Sequence, residues 1–163
     1  MKKIKVLFVC LGNICRSPLA AAILKDKIRK QGLENWLEVD SCGTSNYHIG
    51  SCADERTVAS AAVNGVPIDH CARQLSKEDL EHFDFIFAMD RSNHENILRL
   101  SSGAPVREKV KMMREFDPDR AGADVPDPYH GGIKEFTEVY QILDRCTSNF
   151  LEHLKKERAE RSS

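Results

Sequence analysis

Cys10 and Arg16 bracket a short polar loop, CLGNICR, and their chemistry points to an anion site. Arginine is a planar cation that keeps its charge at any physiological pH and presents its donors as a fork. Cysteine brings a sulfur that is nucleophilic once it loses its proton. Gly12 and Asn13, between them, both tolerate positive φ better than other residue types. The backbone N–H groups of this loop, joined by the free N–H groups of the helix that follows, would converge on one small bowl. Such a bowl takes a phosphate-sized anion, with the thiol below it and the guanidinium fork beside it. The spacing alone decides little: 6 Cys and 12 Arg in 163 residues give about 0.4 such pairs by chance. The flanking residues carry the weight.

A strand and a helix must hold that loop. Val6 to Val9 are bulky or β-branched apolar residues without alternation, as in a strand buried on both faces. Ser17 can cap a helix, and Pro18 then occupies the first helical position, where no N–H donor is required. Further on, strand and helix patterns alternate. A strand is expected over Ile4 to Val9 and a helix from Pro18 to about Lys30, stopped at Gly32. A second strand follows over Leu37 to Ser41, then a polar loop from Cys42 to Ala53. Asp54 caps a helix reaching about Val63, and Ser76-Lys77-Glu78-Asp79 has the form of a capping box opening a short helix. Phe83 to Met89 reads as a strand, Asp90 caps a helix to about Leu100, and Val110 to Phe116 reads as a shorter strand. Asp117 to Gly132 is rich in Asp, Gly and Pro, a long loop of the kind that more often serves function. Phe136, Tyr140, Leu143, Phe150 and Leu154 recur at helical spacing and predict a long amphipathic helix. The chain reads as one domain over residues 1–163, with a short solvated tail from about residue 156 (KKERAERSS).

This alternation predicts βαβ units with right-handed crossovers: an α/β fold with a parallel sheet and helices on both faces. Ligands of such sheets bind beyond the carboxyl ends of the strands, where Cys10 falls.

VCLGNICRSP resembles the phosphate-binding loop of the low-molecular-weight protein tyrosine phosphatases. Asp127-Pro128-Tyr129 resembles that family's general-acid loop at the expected distance, and the likeness runs from about Lys5 to Lys155. It implies four parallel strands in a flavodoxin-like arrangement. It implies hydrolysis of phosphotyrosine and aryl phosphate monoesters, with phosphotyrosine-containing proteins or small aryl phosphates as partners. The helix N-terminus and Arg16 favour a thiolate at Cys10, which attacks phosphorus in line to form a phosphocysteine. Arg16 and the loop from Leu11 through Gly12, Asn13, Ile14 and Cys15 bind the phosphoryl oxygens. Asp127 protonates the leaving oxygen and then serves as base for water; by residue type alone it is a turn aspartate before a proline.

The resemblance further assigns Ser17 as the hydroxyl that hydrogen-bonds the thiolate. It makes Asn13 the residue that holds the loop in an unusual conformation, supported by Ser41 and His70. Tyr47 and Tyr129 match walls that flank the substrate ring, an arrangement that suits a phenyl group. His130 follows Tyr129 where a second tyrosine is frequent in eukaryotic members, and Tyr47 stands where many have Trp. Cys15, in the same loop as Cys10, is implied as the thiol that traps an oxidised Cys10.

Two other readings share the loop. An arsenate reductase on a similar fold needs a further cysteine pair, and Ser76 to Arg99 contains no cysteine. A non-catalytic phosphate-binding or redox-sensing module could use Cys10 and Cys15, but has no need of Asp127.

Composition sets the remaining bounds. Hydrophobic residues at 41% and charged residues at 30% fit an ordinary globular domain, and a net charge of −1 gives no bulk attraction to nucleic acid or membrane. No C-x-x-C pair occurs, which argues against structural zinc; no metal or cofactor is expected. Scattered cysteines suit a reducing compartment, and Cys42, Cys52, Cys71 and Cys146 default to core or surface thiols. MKKIK followed by VLFVCLG has the outline of a signal peptide, but Asn13 and Arg16 interrupt it before the alanines. The expectation is a cytoplasmic monomer.

Overall fold

The computed structural model describes residues 2–101 and 103–162. Met1 and Ser163, the outer ends of the basic leader and of the expected tail, lie outside the described residues, as does Ser102. Four parallel strands form one sheet: β1 (Ile4–Cys10), β2 (Leu37–Gly43), β3 (Phe85–Ala88) and β4 (Val110–Met112). Their order is β2-β1-β3-β4, so the chain reverses direction of winding at β1. The last pair in register between β1 and β2 is Cys10 with Gly43, which brings both strands to the same carboxyl edge.

The unbroken apolar run of β1 is explained by burial on both faces. Val6 and Phe8 enter one core with α1 (Arg16–Lys30) and the long helix α6 (Ile133–Ser162). Leu7 and Val9 enter a second core with Leu80 of α3 (Lys77–His82) and Ile97 of α4 (Arg91–Leu100). All four are fully buried, and each contributes about 1.5–3 kcal/mol of transfer free energy. In α6, Phe136, Tyr140, Leu143, Phe150 and Leu154 are all buried, as the helical spacing predicts. α2 (Glu55–Val63) packs on α6, and α5 (Ala104–Lys109) lies beside β4.

Several boundaries differ from expectation for identifiable reasons. The strand expected over Val110 to Phe116 stops at Met112 and turns into a 3-10 helix, Met113–Phe116. There Met113 is buried and the Phe116 ring meets Phe87 and Phe150, a helical rather than an alternating set of contacts. Arg114 turns inward onto Asp117 (2.8 Å), which also takes Arg145 (2.9 Å). Burial raises the Asp117 carboxyl, but the two guanidiniums and the Asp119 N–H outweigh it and hold it well below the ordinary carboxylate range. β3 spans Phe85–Ala88, shorter than Phe83 to Met89, because Phe83 closes α3. α5 has no counterpart among the elements expected from sequence. Residues 156–162 are largely exposed, as the solvated tail requires, but they continue α6 as helix. Among the described residues no helix is long and apolar enough to cross a membrane.

Candidate active site

Cys10 is the last residue of β1, and α1 begins at Arg16, two residues earlier than the sequence suggests. Ser17 is therefore not the cap. It lies inside the first turn, buried, and Pro18 is the third helical residue, a position whose missing N–H still costs nothing because the first four amides of a helix lack intrahelical partners. Freed from capping, the Ser17 hydroxyl meets the Cys10 sulfur at 2.9 Å and the Cys42 carbonyl at 3.3 Å. The Asn13 N–H donates to the same sulfur at 3.3 Å. The Asn13 N–H thus donates to Sγ of Cys10, and the Ser17 hydroxyl, whose single proton is shared between the sulfur and the Cys42 carbonyl, stands within hydrogen-bond reach of it.

The loop between them rests on Asn13, whose φ of 58° is the one positive φ among the described non-glycine residues. That left-handed conformation is uncommon outside glycine and must be held by partners. Asn13 Nδ2 donates to Ser17 Oγ (2.9 Å) and Ser41 Oγ (3.0 Å), and its Oδ1 accepts the Arg73 N–H (3.0 Å). Its carbonyl accepts from His70 Nε2 at 2.8 Å, so that nitrogen carries the proton. Burial pulls the His70 imidazole below its ordinary range, against the opposing pull of the Asn13 carbonyl. Asn13, Ser17, Ser41 and His70 form one connected set. A Cβ on Gly43 would sit 2.7 Å from the Leu11 carbonyl oxygen, so β2 must end on glycine for the loop to pack there.

Arg16 is almost wholly buried, and three groups aim its fork. Nη1 donates to Asp90 Oδ2 (2.7 Å) and to the Val125 carbonyl (3.0 Å), while Nη2 lies 3.6 Å from Asp127 Oδ2. Burial lowers the affinity of this guanidinium for its proton, but Cys10, Asp90 and Asp127 raise it further, so its charge is secure. Asp90 is a site residue that the sequence marks only as a helix cap. It does cap α4, through the Asn93 N–H (2.8 Å), with the other oxygen turned to Arg16.

Asp127 is half exposed, and its Oδ1 accepts the Tyr129 N–H at 3.1 Å. With Cys10, Arg16, Cys15, Tyr47 and Tyr129 it lines a cavity of about 220 Å³; Leu11, Gly12 and Ile14 complete the floor. His48 and His130 also stand in the wall, and the His48 ring lies 6.3 Å from that of Tyr129. Sequence reasoning misses His48; its place next to Tyr47 is the one signal that points to it. Cys15, the residue before α1, is buried where it meets the cavity, and desolvation pushes its thiol up to about 12. Cys42 and Cys146 are buried thiols, while Cys52 and Cys71 are exposed. A larger cavity, about 740 Å³, lies between α2 and α6 and shares no lining residue with the first. The reactive groups, not the volume, mark the smaller one as the site. Among the described residues no group of three metal-ligating side chains occurs.

A parallel α/β sheet with a cysteine-and-arginine anion loop at its carboxyl edge, faced by an aspartate from a distant loop, defines the class as an enzyme working on phosphate-like groups. The sequence matches the family model for low molecular weight phosphotyrosine protein phosphatase over residues 5–160. A relative of that name from Schizosaccharomyces pombe is 44% identical over 154 residues, covering 94% of this chain and 98% of the relative. The human protein of that name is 42% identical, covering 90% and 93%. Among solved structures, the protein tyrosine phosphatase of Entamoeba histolytica superposes with a TM-score of 0.90 at 37% identity, covering 96% of this chain and 99% of the other. An arginine phosphatase, YwlE, solved as a cysteine-to-serine variant with a phosphorylated active-site serine, superposes at 0.83 with 28% identity, covering 96% and 99%. The chain belongs to the low molecular weight phosphotyrosine protein phosphatase family, and it is a phosphatase enzyme.

Proposed function

We propose that this chain hydrolyses phosphotyrosine in proteins, and aryl phosphate monoesters, through a phosphocysteine on Cys10. The observation that carries the reading is the placement of the Cys10 sulfur, the Arg16 fork and the Asp127 carboxyl around one small cavity. The phosphoryl oxygens take the guanidinium fork and the N–H groups of the loop from Leu11 to Arg16, apart from that of Asn13, which serves the Cys10 sulfur. Cys10 attacks phosphorus as thiolate: the S–P bond forms, the P–O bond to the aryl group breaks, and Asp127 delivers its proton to the departing oxygen. In the second half Asp127 takes a proton from water as that water attacks phosphorus. The thiolate leaves, received by the Ser17 hydroxyl and the Asn13 N–H. Asp90 aims Arg16, and Asn13, Ser41 and His70 hold the loop. Tyr47 and Tyr129 flank an aryl ring.

The phosphorylated serine that YwlE carries in place of its active-site cysteine supports a covalent phosphoenzyme at the matching loop position. Trapping tests the reading directly. Rapid acid quench during turnover of p-nitrophenyl phosphate should yield a phosphorylated peptide spanning Cys10. Cys10→Ser should fold and bind phosphate but lose turnover, and retained turnover would refute the assignment. Chelators should leave the wild-type rate unchanged.

A further inference from the structure

The two halves of this site are far apart in sequence, and both are tied to the start of one helix. Asp54, the residue that caps α2, donates its backbone N–H to the Ile14 carbonyl of the phosphate loop at 2.8 Å. Its carboxylate holds Arg56 through Nε (3.0 Å) and Nη2 (3.0 Å). The guanidinium so fixed reaches over to the loop that carries Asp127. Nη2 donates to the Tyr129 carbonyl (2.9 Å) and Nη1 to the Gly131 carbonyl (3.2 Å). Its Cζ lies 4.5 Å from the centre of the Phe136 ring and 5.6 Å from that of Tyr129.

Apart from the 3.6 Å contact of the Asp127 carboxylate with Arg16, the backbone of the Asp127 loop is pinned mainly at its two ends. Its first residues are pinned at Val125, whose N–H reaches the Met89 carbonyl (2.7 Å) and whose carbonyl takes Arg16. Its end is pinned where Gly132 donates to Glu135 at the start of α6 (2.9 Å). Between those pins, the loop's own bonds are local: Gly131 to Pro128, and Tyr129 to Asp127. Among the described residues, Arg56 supplies the hydrogen bonds that reach this stretch of backbone from another element. Asp127 itself is half exposed, and of its neighbours in the loop Pro128 alone is buried, so packing anchors the turn at one residue and leaves the carboxyl to be aimed by hydrogen bonds. Arg56 lies outside the cavity of the reacting groups.

We propose that Arg56 is a positioning residue for the proton-transfer steps: it sets the Asp127–Tyr129 loop at its working distance from the phosphate loop, using the Asp54 cap as a fixed post. The proposal rests on the reading of Asp127 as general acid and base. A misplacement of about 1 Å in a proton donor can cost on the order of 100-fold in rate, so a tether of this kind matters although it touches no substrate. Arginine suits the position because one planar group holds a carboxylate, two carbonyls and two ring faces; lysine, with a single point of charge, cannot.

The experiment compares leaving groups. For Arg56→Ala, kcat/KM on phenyl phosphate, which has a poor leaving group, should fall about 10-fold or more, while an activated dinitrophenyl ester should lose about 2-fold or less. Competitive inhibition by inorganic phosphate should stay within about 2-fold, since the anion loop is intact. Arg56→Lys should recover only part of the loss. In an Asp127→Ala background, Arg56→Ala should add almost nothing on phenyl phosphate, because the two act through one proton. Arg56→Met keeps the stem on Phe136 and loses only the donors; it gives the same comparison should the alanine variant fold poorly. Equal losses on both esters, or additive losses with Asp127→Ala, would overturn the role of Arg56. If Asp127→Ala alone shows no dependence on the leaving group, the acid reading itself fails, and that outcome is separate from the first.

Discussion

Arg16 Nη2 stands 3.6 Å from Asp127 Oδ2, an ion-pair contact between residues 111 positions apart that joins the floor of the site to its rim. The guanidinium is buried and the carboxylate half exposed, so the pair can open toward an incoming group. A phosphate ester entering the cavity would lie against both at once: its equatorial oxygens on the arginine, its bridging oxygen toward the aspartate.

On the proposed mechanism, Asp127 matters most when the leaving group is poor. Asp127→Ala should slow phosphotyrosine hydrolysis by about 100-fold or more. An ester with a low-pKa leaving group should lose much less. A series of substituted phenyl phosphates checks this, the slope of log kcat/KM against leaving-group pKa becoming steeper in the variant. An unchanged slope would remove Asp127 from the proton transfer.

Asp90 should prove nearly as important as the arginine it orients. Asp90→Asn has one acceptor oxygen where Asp90 uses two, so keeping the α4 cap turns its amide NH2 toward Arg16 and removes the charge-assisted bond to Nη1, now 2.7 Å. The expected cost is about 10-fold or more in kcat/KM, with weaker inhibition by inorganic phosphate. Stability should fall by about 1.5–3 kcal/mol, because a buried guanidinium loses its ionised partner. Arg16→Ala should lose both phosphate binding and turnover. Steady-state kinetics and urea denaturation of the two variants, run together, separate these effects.

His70 should make the fold sensitive to mild acid. Burial depresses its folded-state pKa below the ordinary value of about 6.5. Above that pH neither state binds the proton and His70 has no effect. As pH falls below about 6.5 the unfolded chain protonates first, so stability declines until the folded pKa is passed. His70→Gln can still donate to the Asn13 carbonyl but does not titrate. The urea midpoint of the wild type should therefore drop more between pH 7 and pH 5 than that of the variant. Equal drops would mean His70 is not the sensor.

Cys15 offers a test of redox protection. Its thiol, pushed up to about 12, is almost entirely protonated at neutral pH, and thiol attack requires the thiolate. If Cys15 traps an oxidised Cys10, disulfide formation after a peroxide pulse should therefore speed up by about tenfold per pH unit between pH 7 and 9. Wild type should regain activity on adding a thiol reductant, and Cys15→Ala should regain much less. Equal recovery, or no peptide cross-linked between Cys10 and Cys15, would exclude the protective role.

What the amino-acid order alone determined is whatever depends on near neighbours. The unbroken apolar run of β1, the loop that ends it with Asn13 at positive φ, the Asp54 and Asp90 caps, the Ser76 capping box and the spacing along α6 are each set by a few consecutive residues, and each is legible. So is the pairing of Cys10 with Arg16, since one loop contains both. Tertiary structure decided the rest. Ser17 looks like a cap in sequence, but burial beside Cys10 and Asn13 turns its hydroxyl to the sulfur and starts the helix at Arg16. Asp90 reads only as a cap until the parallel pairing of β1 with β3 brings its second oxygen to Arg16. Arg56 is an ordinary helix-surface cation until α2 packs on α6 and the Asp127 loop passes over it. Val110 to Phe116 has a strand's composition, yet contacts with Phe87, Phe150 and Asp117 bend its second half into a 3-10 turn. Local propensity is worth tenths of a kcal/mol per residue, whereas a buried ring or a buried ion pair is worth several times that, so where the two conflict the long-range partner wins.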